Sequence, residues 1–246
     1  MVSKLLSTYI YLLFILLMLC AFVTALPGGA VVWIGGGDPR RPFQWIVQRY
    51  WRLFLFLSPV IGRISVVNPQ NLNGIRPAVY VVSHQSSIDF VLIGSMIDNF
   101  VSISNHPISD LPIFFKVPRL VGVYYMQRDN PNASIAVYNR LQKALDAGAS
   151  VFLFPEGTRN YSSELKPFQK GAFRLAMEHK TPIVPVVIQG TGKIVTKGTN
   201  VTKTLNRTDI SVTYLDPIYP GEGEKVRDLV ARVRDAMQLE VTKGFS

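Results

Sequence analysis

A histidine and an aspartate stand five positions apart in Ser83-His84-Gln85-Ser86-Ser87-Ile88-Asp89, directly after the apolar run Ala78-Val79-Tyr80-Val81-Val82. Imidazole is the usual general base near neutral pH. A carboxylate at this spacing can orient the ring and stabilise its charged form, provided a turn brings the two together. Taken alone, the pair also suits a structural histidine. A second polar cluster, Phe154-Pro155-Glu156-Gly157-Thr158-Arg159, follows the apolar run Val151-Phe152-Leu153-Phe154. Pro155 cannot continue a central β-ladder. Gly157 permits a sharp turn or the close approach of a ligand. Arg159 offers a planar fork of donors suited to phosphate. If Glu156 pairs with Arg159 instead, the motif is a turn held by a surface ion pair.

Both clusters begin where an apolar run stops, which places them at strand ends. In open α/β sheets ligands bind at the carboxyl ends of the strands. The runs Ala78–Val82, Val121–Met126, Val151–Phe154 and Ile183–Ile188 read as buried strands, and Ile210–Leu215 alternates as a later one. Helical spacing covers Asn132–Ala147, Phe168–Glu178 and Glu222–Val241. Strand–helix alternation of this kind predicts an α/β fold with a largely parallel central sheet flanked by helices.

Ahead of this body, Leu5 to Leu26 form 22 residues without a formal charge, followed by Pro27, Gly28 and Gly29. Roughly 20 such residues cross a bilayer core, so the segment reads as a retained anchor helix that stops at Pro27. A cleaved signal peptide is the competing reading, although the run exceeds the ~7–15 residues of an ordinary h-region. Lys4 alone precedes the segment, while Arg40, Arg41, Arg49 and Arg52 follow it. The positive-inside rule puts the following side in the cytoplasm. Residues 43–61 mix Trp45, Tyr50, Trp51, Phe54 and Phe56 with Gln44, Gln48, Arg49 and Arg52. That mixture predicts a helix lying in the membrane interface, with a buried core helix as the alternative. The expected organisation is an anchor over 1–27, a linker and interfacial helix over 28–65, and a catalytic domain over 66–246.

The net charge is +10, which calls for an anionic partner or simply supplies solubilising charge. With no long Lys/Arg run and no nucleic-acid-binding motif, a membrane surface and a phosphorylated substrate fit better than nucleic acid. The single cysteine, Cys20, lies inside the apolar segment. It allows neither an intrachain disulfide nor a cysteine metal cluster.

Ser-His-x4-Asp followed about 65 residues later by Phe-Pro-Glu-Gly-Thr-Arg resembles the glycerophospholipid acyltransferase family, most closely its 1-acylglycerol-3-phosphate (lysophosphatidic acid) acyltransferases. The blocks Gly122-Val123-Tyr124-Tyr125-Met126-Gln127-Arg128 and Thr181-Pro182-Ile183-Val184-Pro185-Val186 look like two further blocks of that family. The resemblance covers roughly residues 66–220. It implies that His84 is the general base and Asp89 its holder. Arg128, with Glu156, Gly157, Thr158 and Arg159, would shape the phosphate site, and Lys116 is added as a basic residue ahead of the second block. One departure is Ser83, where the family commonly has asparagine before the histidine.

The resemblance further implies transfer of a fatty acyl group from acyl-CoA or acyl-ACP to lysophosphatidic acid at a membrane (the inner membrane if bacterial), with no cofactor and no metal. The same chemistry on glycerol 3-phosphate or another lysolipid remains open, as does a non-catalytic lipid-binding role. Gly190-Thr191-Gly192-Lys193 lacks the earlier glycine and the Ser/Thr of a P-loop, and His106 and His179 read as structural.

Overall fold

The structure is a computed structural model that describes residues 2–73, 75–104, 119–126, 130–195 and 206–243. Its elements run α1 (Val2–Ile34), α2 (Arg40–Leu57), β1 (Ile61–Val67), α3 (Gln70–Asn73), β2 (Val79–Val82), α4 (Ile88–Gly94), β3 (Phe100–Ser104), β4 (Val123–Tyr125), α5 (Pro131–Asp146), β5 (Ser150–Leu153), α6 (Gly171–Glu178), β6 (Ile183–Gln189), β7 (Thr208–Tyr214) and α7 (Val226–Lys243). A 3-10 turn, Thr191–Lys193, follows β6. The strands form one sheet in the order β1-β7-β6-β2-β5-β3-β4.

The five strands β6-β2-β5-β3-β4 are mutually parallel. The pair β1–β7, parallel within itself, is joined antiparallel to β6. The predicted α/β class with a largely parallel sheet is what the chain adopts.

Burial on both faces explains the continuous apolar strands, as expected of a parallel sheet. Tyr80 and Val82 of β2 face α1, α2 and α4, whereas Val79 and Val81 face α5, α6 and α7. Pro185 sits inside β6, a central strand, where proline is normally excluded. Its nitrogen shares the side on which its carbonyl accepts from the Leu215 amide. There the ladder to β7 is interrupted, between Tyr214 and the isolated bridge Ile183–Ile218.

Helix α1, expected to be an anchor ending at Pro27, does not stop there. It continues to Ile34, and the chain turns at Gly35–Gly37, where Gly36 adopts φ +76° and the Gly37 amide bonds the Val32 carbonyl. The glycines after Pro27 are a contact surface, not a stop. A Cβ on Gly29 would overlap the Phe43 ring, and Gly28 lies against Pro42. They let α2 fold back closely on α1.

Helix α2 turns one face inward, burying Phe43, Val47, Trp51, Phe54 and Leu55. The glutamines read above as interfacial are also turned inward. The Gln44 amide donates to the carbonyls of Phe100 (2.5 Å) and Val121 (2.9 Å), and that of Gln48 to Gly94 (2.9 Å) and Ile97 (2.7 Å). Arg52 closes on the Ser95 carbonyl through two nitrogens. The core-helix alternative therefore describes this face. The outer face keeps Trp45, Leu53 and Phe56 exposed, with Arg49 stacked on Trp45. It continues the exposed apolar face of α1 formed by Leu5, Leu12, Leu16, Leu19 and Val23.

Two strands escape the sequence reading. Residues Ile61–Val67, which straddle the expected boundary between the linker and interfacial helix (to 65) and the catalytic domain (from 66), form the edge strand β1. Phe100–Ser104 form β3.

Candidate active site

The carboxyl ends of β2, β5 and β6 lie side by side, and each carries one loop of the site. Strand β2 runs out at Val82, and Ser83 fixes its end. The Ser83 amide bonds the Val186 carbonyl, and its hydroxyl accepts from the Ile188 amide at 2.9 Å. A serine thus braces β2 against β6 at the position where asparagine was expected.

The next residues turn into α4, and this turn brings His84 and Asp89 together. Nδ1 of His84 lies 3.0 Å from Oδ2 of Asp89. The same oxygen accepts from the amides of Gln85 (2.6 Å) and Ser86 (2.7 Å). Oδ1 accepts from the Thr191 hydroxyl at 2.5 Å. Asp89 is fully buried, whereas the His84 side chain keeps 18% of its surface open. The ring stacks on Phe154 at 4.2 Å between centroids. With Asp89 as the acceptor, Nδ1 donates and Nε2 is left as the ring nitrogen with a free lone pair.

The loop after β5 is built around Glu156. Its Oε1 accepts from the His84 amide at 3.4 Å, and its Oε2 accepts from Asn160 Nδ2 (2.7 Å) and the Lys166 amide (3.0 Å). The Asn160 amide returns a bond to the His84 carbonyl at 2.6 Å. Gly157 takes φ +67°, a region glycine enters without strain. Lys166 Nζ ties the loop down through Thr158 Oγ1 and the Arg159 carbonyl.

Glu156 is therefore spent on holding this loop against His84, and it forms no ion pair with Arg159. Instead, Nη1 of Arg159 is buried without a hydrogen-bond partner. A buried, charged, unpaired donor is costly unless something binds it.

The structure thus gathers His84, Asp89, Glu156, Gly157, Thr158 and Arg159. The other two predicted residues, Lys116 and Arg128, lie outside the described residues, as does His106. His179 pairs with Asp146 at 3.1 Å on the far side of the sheet, as a structural histidine. Sequence reasoning missed Thr191, Asn160 and Phe154 as parts of the site. For Phe154 a signal existed in its position at the strand end. For Thr191 and Asn160 the contacts form only on folding.

At the strand ends of an α/β sheet the structure thus sets a buried carboxylate against a partly exposed histidine, an arrangement that can serve general-base chemistry, and leaves one nitrogen of Arg159 buried and unbonded. Residues 63–189 match the family model described as Acyltransferase, and the chain belongs to that family. It is 33% identical over 210 residues to a chloroplastic 1-acyl-sn-glycerol-3-phosphate acyltransferase of Brassica napus, covering 81% of this chain and 60% of that protein. Against the 1-acyl-sn-glycerol-3-phosphate acyltransferase of Haemophilus influenzae it is 30% identical, covering 78% of this chain and 80% of the relative. The chain spans less than two thirds of the length of the plant and yeast relatives. The crystal structure of the 1-acyl-sn-glycerophosphate (LPA) acyltransferase PlsC from Thermotoga maritima superposes with a TM-score of 0.77 at 19% identity, over 99% of this chain and 96% of that one. It shares the fold.

Proposed function

We propose that the protein transfers a fatty acyl group from an acyl-CoA or acyl-ACP thioester to the sn-2 hydroxyl of 1-acylglycerol 3-phosphate, giving phosphatidic acid. The observation that carries this reading is His84, tied through Nδ1 to the buried Asp89 and partly exposed at the strand ends. The names of the relatives support the choice of acceptor. In the reaction, Nε2 of His84 takes the proton of the acceptor hydroxyl as its oxygen attacks the thioester carbonyl. The C–O bond forms, the tetrahedral intermediate collapses, and the C–S bond breaks. His84 then returns the proton to the departing sulfur, leaving a free thiol.

Asp89 stabilises the imidazolium formed in between. General-base action of this kind is worth about 10²–10⁴-fold. The phosphate of the acceptor would satisfy Arg159, with Arg128 and Lys116 proposed to assist, while Glu156, Gly157 and Thr158 hold the loop in shape. Binding the phosphate places the hydroxyl beside the base, and such orientation supplies part of the ~7–11 kcal/mol available from positioning.

An apolar cavity of about 190 Å³ opens between α1 and α4, lined by Ile10, Tyr11, Phe14, Ser87, Ile88 and Val91. It suits hydrocarbon. Helix α1 is long and apolar enough to cross a membrane. With its exposed apolar face, and with Arg40, Arg41 and Arg49 after it, it supports a membrane-held enzyme whose domain faces the cytoplasm.

The test is transfer of a labelled acyl group from CoA and ACP thioesters to a panel containing lysophosphatidic acid, glycerol 3-phosphate and neutral lysolipids, with His84→Ala as control. Lysophosphatidic acid is expected to be the preferred acceptor, and His84→Ala to lose at least about 10²-fold in kcat. Equal use of neutral lysolipids, or near-normal turnover by folded His84→Ala, overturns the reading.

A further inference from the structure

The Asp89 carboxylate is fully buried, and no lysine or arginine among the described residues bonds it. Its charge is balanced by neutral donors and by His84 alone. Three of the four groups around it, His84 and the amides of Gln85 and Ser86, belong to its own turn and crowd onto Oδ2. The fourth comes from elsewhere in the chain. The Thr191 hydroxyl, 102 positions away in sequence and itself fully buried, donates to Oδ1 at 2.5 Å. Without it Oδ1 would face the protein interior with no donor, at the cost of an uncompensated buried charge, and nothing would stop the carboxylate rotating about its bond to Cβ.

The loop that delivers Thr191 is built for the purpose. Gly190 takes φ +98°, and a Cβ there would strike the Asp209 carbonyl oxygen. The 3-10 turn Thr191–Lys193 follows at once, and the Gly192 amide reaches Gln85 Oε1 at 3.4 Å. The Gly-Thr-Gly-Lys run that fails as a phosphate loop thus braces the base-holding carboxylate across the sheet, from the end of β6 to the end of β2.

We infer that Thr191 is a positioning residue for the reaction. It fixes the Asp89 carboxylate in the orientation that holds His84 and stabilises its protonated form. This rests on the assignment of His84 and Asp89 as the base and its holder. Thr191 meets neither substrate, so its loss acts on kcat and leaves both KM values alone.

Thr191→Val keeps the shape and removes the hydroxyl. A hydrogen bond to a charged group accounts for about 10–100-fold, so kcat is expected to fall by that factor, with each KM within about twofold. Thr191→Ser keeps the hydroxyl and is expected to stay within about threefold of the wild type. In an Asp89→Asn background, Thr191→Val should cost less than about threefold, because the charge it serves is gone. All four variants and the wild type are compared with thermal stability measured in parallel.

Folded Thr191→Val with kcat within twofold of the wild type overturns the inference while leaving the dyad intact, provided Asp89→Asn is impaired. Multiplicative losses in the double variant also overturn it. Should Thr191→Val fail to fold, Thr191→Ala against Thr191→Ser makes the same comparison, and a serine variant as slow as the alanine one refutes the role. If Asp89→Asn is itself fully active, the dyad assignment fails and takes this inference with it.

Discussion

Replacing Asp89 by asparagine removes one charge while leaving every hydrogen bond of the turn a partner. The asparagine oxygen can take the place of Oδ2 and accept from Gln85, Ser86 and His84. The amide nitrogen then meets Thr191, whose hydroxyl can turn from donor to acceptor. The fold should survive, and the loss falls on catalysis. Two limits bound its size. A hydrogen bond to a charged group exceeds a neutral one by about 1 kcal/mol, which is about fivefold in rate. At the other end, the Nδ1–Oδ2 distance of 3.0 Å puts the charge centres of imidazolium and carboxylate about 4 Å apart. At an effective dielectric of about 20 that separation gives about 4 kcal/mol, or about three orders of magnitude. Asp89 is buried and His84 is only partly open, so the upper part of the range applies, and Asp89→Asn should lower kcat by about 10²–10³-fold. The assay is acyl transfer at saturating thioester and lysophosphatidic acid, with melting temperature and far-UV circular dichroism as fold controls. A folded variant within threefold of wild-type kcat would refute the argument, since the carboxylate would then do nothing that a neutral amide cannot.

Arg159→Lys keeps the charge and loses the fork. The KM for lysophosphatidic acid should rise about tenfold, with that for the thioester within twofold, as read from kinetics in both substrates. Gln44→Ala strands the buried carbonyls of Phe100 and Val121, and should cost about 2–3 kcal/mol of stability in chemical denaturation. Glu224 is held below the usual carboxylate range by its hydrogen bonds to Arg232, with the Gly221 amide assisting. Its stabilisation is present above the unfolded-state pKa and is lost as pH falls through the folded one. Glu224→Gln should therefore destabilise by no more than about 1 kcal/mol at neutral pH, and the difference should vanish in acid, as followed by thermal melts across pH.

The strands that carry the site were legible because each is a nearly unbroken apolar run buried on both sides of the sheet, as Val79–Val82, Val151–Leu153 and Ile183–Ile188 are. Strand β1 was not, because an edge strand buries little. Only Ile61 of its seven residues is buried, and Gly62 and Arg63 break the pattern. Strand β3 hides behind Ser102, a polar residue that is buried because its hydroxyl bonds the Phe152 carbonyl at 2.7 Å. The stop of α1 was misplaced because Pro-Gly-Gly looks like a terminator until a second helix is there to use the glycines. In the site, the residues close in sequence were readable as motifs. The Thr191–Asp89 contact was not, since its two members share no local pattern and meet only when β6 and β2 are neighbours.

The pairing of β1 with β7 sets an order of events on the ribosome. Ile61 and Thr208 are partners in register, separated by 147 positions of chain. At about 5–20 residues per second of synthesis, β7 follows β1 by roughly 7 to 30 seconds. During that interval α1 and α2 are already synthesised, while β1 still lacks its neighbour in the sheet. The α1–α2 hairpin is therefore made well before the sheet that it packs on is complete. A chain broken off ahead of β7 would leave an apolar strand edge on β6 with nothing to cap it, so loss of about the C-terminal sixth should lead to aggregation and not to a smaller folded domain.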